Sequence, residues 1–378
     1  MTYPSNRRVR LFVLFGGESA EHDVSCTTAA HVLNAVDRDR YDIEAIGITR
    51  EGKFVTASEA VALLPDPNTT GIESAPSTIK ALEPVGSPTE LMSAVASGLG
   101  NAESQVVVLP LLHGPLGEDG TIQGMCELAN VAYVGAGVLG SAVTMDKAMA
   151  KTLLDAAGLP QTKWRAIREG DLDVDRKAVL ESVVEDLGLP CFVKPANMGS
   201  SIGVGKADSF EELDAAVDAA LVYDEFLVVE ESVDAREIEL SVLGNAQLEV
   251  SVPGEIVPGA DFYDYEDKYH DGSAQLIIPA VLPDGVAEQL QDLARQAYRV
   301  LRVEGMARAD FLYEEGGRGP LINELNTIPG FTPISMYPKL WEASGLEYSE
   351  LINRLVELAI ERHERRSAKR QTERTPRS

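Results

Sequence analysis

The chain has 378 residues, 44% hydrophobic and 25% charged, enough for two or three domains around a sizeable buried core. Its formal net charge of −27 argues against nucleic acid or an anionic membrane as partner, because either would repel most of the surface. No run approaches the ~18 consecutive apolar residues of a membrane span, the histidines form no H-E-x-x-H pattern of a zinc hydrolase, and Cys26, Cys126 and Cys191, without metal-ligand spacing, read as buried thiols in a reducing cytoplasm.

Arg10–Phe15 is a first strand; its apolar run ends in Gly16-Gly17 and is too short for the core of a signal peptide. A helical pattern continues to about Val36. Tyr41–Thr49 is a second strand and Gln105–Leu111 a third, and their near-continuous Val, Leu and Ile content predicts a parallel sheet buried on both faces. Between them, 52–104 is rich in Ala, Ser, Pro and Gly with little periodicity, and reads as an insertion without an assignable role. His113-Gly-Pro-Leu-Gly-Glu-Asp-Gly120 follows the third strand, where open α/β sheets carry ligand loops. There His113 is either a ligand contact or a capped loop histidine.

Gly135-Ala-Gly137-Val-Leu-Gly140 matches G-x-G-x-x-G, with Asp155 twenty residues after Gly135. The strand before it is short and no clean α/β alternation follows, so this lone match is weak support for a dinucleotide site. Ser141–Ala157 is predicted as one helix stopped by Gly158-Leu-Pro160. Lys147 and Lys151 share one of its faces, a like-charge pair that asks for an anionic partner or solvent. Cys191–Lys194 is a strand leading into a Gly/Ser loop, Pro195–Gly205. Backbone N–H groups at its glycines and the hydroxyls of Ser200 and Ser201 suit phosphate; an ordinary flexible hairpin is the alternative.

Phe226–Glu230 and Glu237–Leu243 are further strands. Pro258–Pro279 is a long loop with a dense polar-aromatic run, Phe262–Tyr269, and has the length of a lid. Pro283–Leu301 is an amphipathic helix. Arg308–Tyr313 and Leu321–Asn326 then form a hairpin around Gly316, Gly317 and Gly319. Alternation places Arg308, Asp310 and Leu312 on one face, and Ile322, Glu324 and Asn326 on one face of the partner strand. In a symmetric hairpin Asp310 opposes Glu324 and Arg308 opposes Asn326. Facing carboxylates repel, and a hard divalent cation with phosphate oxygens would relieve that repulsion; a solvated acidic hairpin is the alternative. Ser349–Arg362 is the last helix, and the basic, aperiodic stretch Arg365–Ser378 is expected to be disordered.

In order and spacing these motifs resemble the D-alanine–D-alanine ligases of the ATP-grasp superfamily. The resemblance runs from about Arg10 to Leu358, outside the insertion and the tail. It rests on Gly16-Gly17-x-Ser19-Ala-Glu21, His113-Gly-Pro-x-Gly-Glu-Asp-Gly120, Met145-Asp-Lys147, Lys194-Pro with Gly199-Ser-Ser201, Tyr263-Asp-Tyr-Glu-x-Lys268-Tyr269, Arg308-x-Asp310 and Asn323-Glu324-x-Asn326-Thr-x-Pro-Gly330. It implies an α/β, three-domain ATP-grasp fold with boundaries near 1–135, 136–230 and 231–364, and ATP held between the central and C-terminal domains. The activity implied is ATP-dependent joining of two D-alanines through a D-alanyl phosphate, in peptidoglycan synthesis, by a cytoplasmic homodimer.

The same resemblance implies the roles. Lys147, Lys194, Lys268 and Ser201 meet the phosphates; Glu230, Glu231, Val233, Glu237 and Phe262 lie against adenine and ribose. Asp310, Glu324 and Asn326 hold two Mg²⁺ ions, with Mn²⁺ as a substitute, and Asn326 also borders ATP. Arg308 and the Gly330 N–H form an oxyanion hole. Glu21 takes the ammonium of the first D-alanine, with Ser200 and Tyr269 hydrogen-bonded to it and His113 nearby. Ser335, beside Met336, takes the carboxylate of the second. Glu231 stands where some relatives carry lysine, so its contact there is expected through the backbone. Tyr269 speaks against a D-lactate product, Met336 offers no charged handle for D-serine, and a non-catalytic nucleotide binder should have lost metal ligands that stand here.

Overall fold

The computed structural model describes residues 8–19, 21–55, 105–257 and 275–373, and three sheets organise them. The apolar runs near the start pair in parallel as expected. Strand β1 (Val9–Gly16) lies between β2 (Tyr41–Ile48) and β4 (Gln105–Pro110), with the short β3 (Phe54–Val55) and β5 (Ala132–Tyr133) at the edges. Alternation along β1 sends Leu11, Val13 and Phe15 toward helix α1 (His22–Ala35), and Phe12 and Leu14 toward α2 (Thr121–Ala129). The rest of the insertion, 56–104, lies outside the described residues.

The predicted helix Ser141–Ala157 is two helices, α3 (Val138–Met145) and α4 (Lys147–Ala156). Asp146 makes the break: its backbone is extended and its side chain accepts from the Met149 N–H at 2.9 Å, capping α4. The second sheet is antiparallel, in the order β6 (Trp164–Arg168), β9 (Phe226–Glu231), β7 (Cys191–Pro195), β8 (Gly205–Ala207). One face packs Cys191, Val193, Leu227 and Val229 against α5 (Glu169–Leu187) and α6 (Phe210–Leu221), which present Leu180, Val183, Leu213 and Val217. Phe192, Lys194 and Glu230 alternate to the other side and line a cleft.

The third sheet runs β13 (Gln275–Ile277), β12 (Gly254–Val257), β10 (Arg236–Gly244), β14 (Gly305–Glu314), β15 (Gly319–Asn326), with β11 (Leu248–Val250) also on β10. Helix α7 (Val286–Val300) covers its apolar face, where Leu290, Ala294 and Tyr298 meet Ile238, Leu240, Ala309 and Phe311. The polar faces of the second and third sheets therefore confront each other across the cleft. Residues 258–274, most of the expected lid, lie outside the described residues.

After α8 (Met336–Ala343), the last helix, α9, runs from Tyr348 to Glu373, so the expected disorder from Arg365 is corrected for 365–373. Its apolar face, including Leu351, Leu355 and Val356, packs on the first sheet beside α1. Distant partners hold its basic end: Arg362 sits 4.2 Å over the Tyr133 ring and donates to the carbonyls of Tyr133 and Gly135, Arg365 pairs with Glu304 and Arg366 with Glu127.

Candidate active site

The hairpin has the register expected from its alternation, Arg308 opposite Asn326 and Asp310 opposite Glu324. It is not symmetric. A bulge beside Asp310/Phe311 leaves Asn323 as the extra residue, so Ile322 pairs with Phe311 and points into the core with Leu325. The expectation that Ile322 shares a face with Glu324 is thereby corrected. On the other side β10 sets Glu239 opposite Asp310, and three carboxylate residues, Glu239, Asp310 and Glu324, form one row across adjacent strands.

Arg308 holds this row together. Its Nε and Nη2 each donate to Asp310 at 2.7 Å, it lies 3.0 Å from Glu239, and Asn326 Nδ2 donates to Asp310 at 2.8 Å. Burial opposes the charge on Arg308, yet Asp310 and Glu239 raise its pKa well above the ordinary value. Among the described residues no cluster of three His, Cys, Asp or Glu side chains is arranged to hold a metal. The oxygen donors of Asp310, Glu324 and Asn326 nonetheless suit a hard cation, once Asp310 exchanges Arg308 and Asn326 for it.

Facing the hairpin across a cleft of about 570 Å³ are the lysines. Lys194 lies 2.9 Å from Glu230 Oε1, while Lys151 lies 3.0 Å from Oε2, which also accepts from Thr162 at 2.7 Å. Burial pushes the Glu230 pKa up, but the two ammoniums prevail and hold it far below the usual carboxylate range. Its carboxylate is thus engaged by two lysines and Thr162, and its backbone is paired in β9 between Trp164 and Phe192. Lys147 donates to the Met198 carbonyl at 2.6 Å and lies 3.7 Å from Glu324. The Glu231 carboxylate takes the Lys163 N–H and Arg318 at 2.7 and 2.6 Å, and its own N–H donates to the Lys163 carbonyl at 3.0 Å. Ser201, Val233 and Glu237 line the same cleft. Lys151 is absent from the roles implied by resemblance; its spacing from Lys147 was the available signal, and buried Glu230 is the anion that the spacing asked for.

Glu21, 7% exposed, accepts a hydrogen bond from Ser200, 179 positions away, and so joins the first sheet's loop to the Gly/Ser loop. Ser200 and Ser201 adopt left-handed φ of 49° and 57°, a strained geometry for non-glycine residues. A smaller cavity of about 260 Å³ beside them is lined by Ser19, Glu21, Pro115, Met198 and Gly199. His113 is buried with Nδ1 3.8 Å from Glu118; burial lowers its pKa, but Glu118 and Glu21 outweigh this and raise it. Gly330 and Ser335 are adjacent, since a Cβ on Gly330 would stand 3.1 Å from Ser335 Oγ. Met336, at the first turn of α8, packs with Ile256 and Leu340. Phe262, Lys268 and Tyr269 lie outside the described residues.

Two family models match the chain: the D-ala D-ala ligase N-terminus over residues 10–136 and the D-ala D-ala ligase C-terminus over residues 153–357. Among similar proteins, the D-alanine–D-alanine ligase of Geobacillus kaustophilus is 45% identical over 94% of this chain and 96% of its own. That of Bacillus licheniformis is 47% identical over 94% and 97%. Among solved structures, the D-alanine-D-alanine ligase from Coxiella burnetii has a TM-score of 0.81 at 33% identity, covering 97% of this chain and 98% of that one. The VanG D-Ala:D-Ser ligase from Enterococcus faecalis has a TM-score of 0.78 at 32% identity, covering 93% and 100%.

Proposed function

The chain belongs to the D-alanine–D-alanine ligase family, and from that premise we propose how its own residues divide the reaction. Its activity is the ATP-dependent joining of two D-alanines for cell-wall precursor synthesis, with ATP and D-alanine as substrates. A carboxylate is a poor electrophile, so the first D-alanine is activated as an acyl phosphate before the second one attacks it.

The observation that carries the assignment of roles is the Ser200–Glu21 hydrogen bond, which sets a buried carboxylate against the Gly/Ser loop at the mouth of the lysine-lined cleft. Glu21 holds the first D-alanine's ammonium in the smaller cavity, with Ser200 and Tyr269 orienting it and His113 alongside. Lys147, Lys194, Lys268 and Ser201 neutralise and position the phosphates. Glu230, Glu231, Val233, Glu237 and Phe262 border adenine and ribose. Two Mg²⁺ ions, or Mn²⁺, held by Asp310, Glu324 and Asn326, would supply charge neutralisation at the transferred phosphoryl group. Arg308, released from Asp310, and the Gly330 N–H face the oxyanion that forms when the second amine attacks. Ser335 and the backbone at Met336 receive the second carboxylate.

A cytoplasmic homodimer, with units near 1–135, 136–230 and 231–364 and helix α9 returning to the first, belongs to the same proposal. Phosphate release from ATP, measured with each D- and L-amino acid and with D-lactate, tests the substrate choice. D-Alanine alone should support full turnover, with D-alanyl-D-alanine as the product; faster turnover with D-alanine plus D-serine or D-lactate would overturn it.

A further inference from the structure

Glu230 is 3% exposed and serves two ammoniums that differ in what else they can reach. Lys194 has a side chain 18% exposed and lines the cleft. Lys151 is 2% exposed, points inward from α4 and, among the described residues, adds a 3.3 Å hydrogen bond to Thr162. Thr162 in turn donates to Glu230, and its neighbours are tied to the metal hairpin, because the Ile322 N–H donates to the Pro160 carbonyl at 2.8 Å. Lys151 is thus fixed in place, while Lys194 has the cleft open beside it.

A carboxylate buried this deeply is tolerable only while an ammonium and hydrogen bonds accompany it. Were Lys194 its sole counter-ion, turning Lys194 toward a phosphate would strand Glu230 as an unpaired buried charge. With Lys151 present, Glu230 keeps one ammonium and the Thr162 hydroxyl whichever way Lys194 turns.

We propose that Lys151 is a positioning residue for the nucleotide: by sharing Glu230 it leaves Lys194 free to exchange that carboxylate for a phosphate oxygen. This rests on the assignment of Lys194 to the ATP phosphates. Lys151 itself touches neither ATP nor D-alanine.

The test is equilibrium binding of a non-hydrolysable ATP analogue with Mg²⁺, alongside KM for ATP, kcat and melting temperature. The full-length proteins compared are wild type, Lys194→Met, Lys151→Met, Glu230→Gln and the double variant Lys151→Met/Glu230→Gln. Lys151→Met should weaken the analogue and raise KM on the order of tenfold, the worth of one charged hydrogen bond, with kcat changing much less. The double variant should bind like Glu230→Gln alone, because Lys194 then has no buried anion to neutralise and Lys151 no carboxylate to share. If Lys194→Met binds weakly but Lys151→Met binds like wild type, the inference is overturned and the phosphate role of Lys194 stands. If Lys194→Met itself binds like wild type, both go. If Lys151→Met weakens binding as much in the Glu230→Gln background as in the wild-type background, with melting lowered in both, Lys151 is a packing residue and the inference is overturned. Should Lys151→Met not fold, Glu230→Gln and the double variant still decide: equal affinity of the two supports the inference, and a tenfold further loss in the double variant overturns it.

Discussion

Glu324→Gln separates stability from turnover at the hairpin. In the metal-free protein the Glu324 carboxylate faces Asp310, a repulsion, and lies 3.7 Å from Lys147, an attraction. The Lys147 side chain is 15% exposed and that of Glu324 33%, so the pair contributes at most ~1 kcal/mol. Facing like charges destabilise by a similar roughly 0.2–1 kcal/mol, and Arg308 already screens Asp310 through two hydrogen bonds. These opposing effects leave a net change within about 1 kcal/mol, a melting shift of about 2 °C or less in a chain this long. Turnover should respond far more, because a neutral amide in place of a charged metal ligand weakens charge neutralisation where phosphate charge is greatest. A fall in kcat on the order of 10²–10³ is expected. The assay pairs phosphate release at saturating D-alanine, ATP and Mg²⁺ with thermal melting in the absence of metal. Turnover within tenfold of wild type would remove Glu324 from the metal site. A melting loss of more than about 5 °C would show that the balance of charges drawn here is wrong.

Ser200→Ala removes a charge-assisted hydrogen bond to Glu21 and should raise KM for the first D-alanine about 10-fold, leaving the ATP analogue's affinity unchanged; an unchanged D-alanine KM would detach Ser200 from that subsite. Deleting 365–378 removes the partly exposed Arg365–Glu304 and Arg366–Glu127 pairs, together worth roughly 1 kcal/mol, so melting should drop by about 1–3 °C with kcat intact. Loss of turnover on that deletion would mean that the end of α9 supports the site. Burial pushes the thiols of Cys26 and Cys126 up to about 12 and that of Cys191 up to about 11. Raised values keep them protonated, so a thiol reagent at pH 8 should leave the native protein unlabelled and label all three cysteines after denaturation; rapid native labelling would contradict their burial.

Strand alternation and register are local properties, and they were legible in the chain. Because side chains alternate along a strand, the facing of Asp310 and Glu324 could be read before any fold was known. The parallel pairing of the first sheet was equally readable from β1 and β4, apolar and buried along most of their length, whereas β2 carries the partly exposed Asp42 and Glu44. Resemblance then supplied roles that no local pattern carries, such as those of Ser335 and Val233. What needed the tertiary structure is whatever depends on residues far apart in the chain. The bulge at Asn323 turns Ile322 into a core that also involves Phe311 and Leu325. Glu239 joins the carboxylate row only because β10 is laid against β14. Arg362, Arg365 and Arg366 look like a solvated basic run until Tyr133, Glu304 and Glu127 are brought to them. The spacing of Lys151 from Lys147 asked for an anion or for solvent without deciding between them. Only folding sets Lys151 against Glu230, where an ammonium removed from water must share a carboxylate that also serves the cleft.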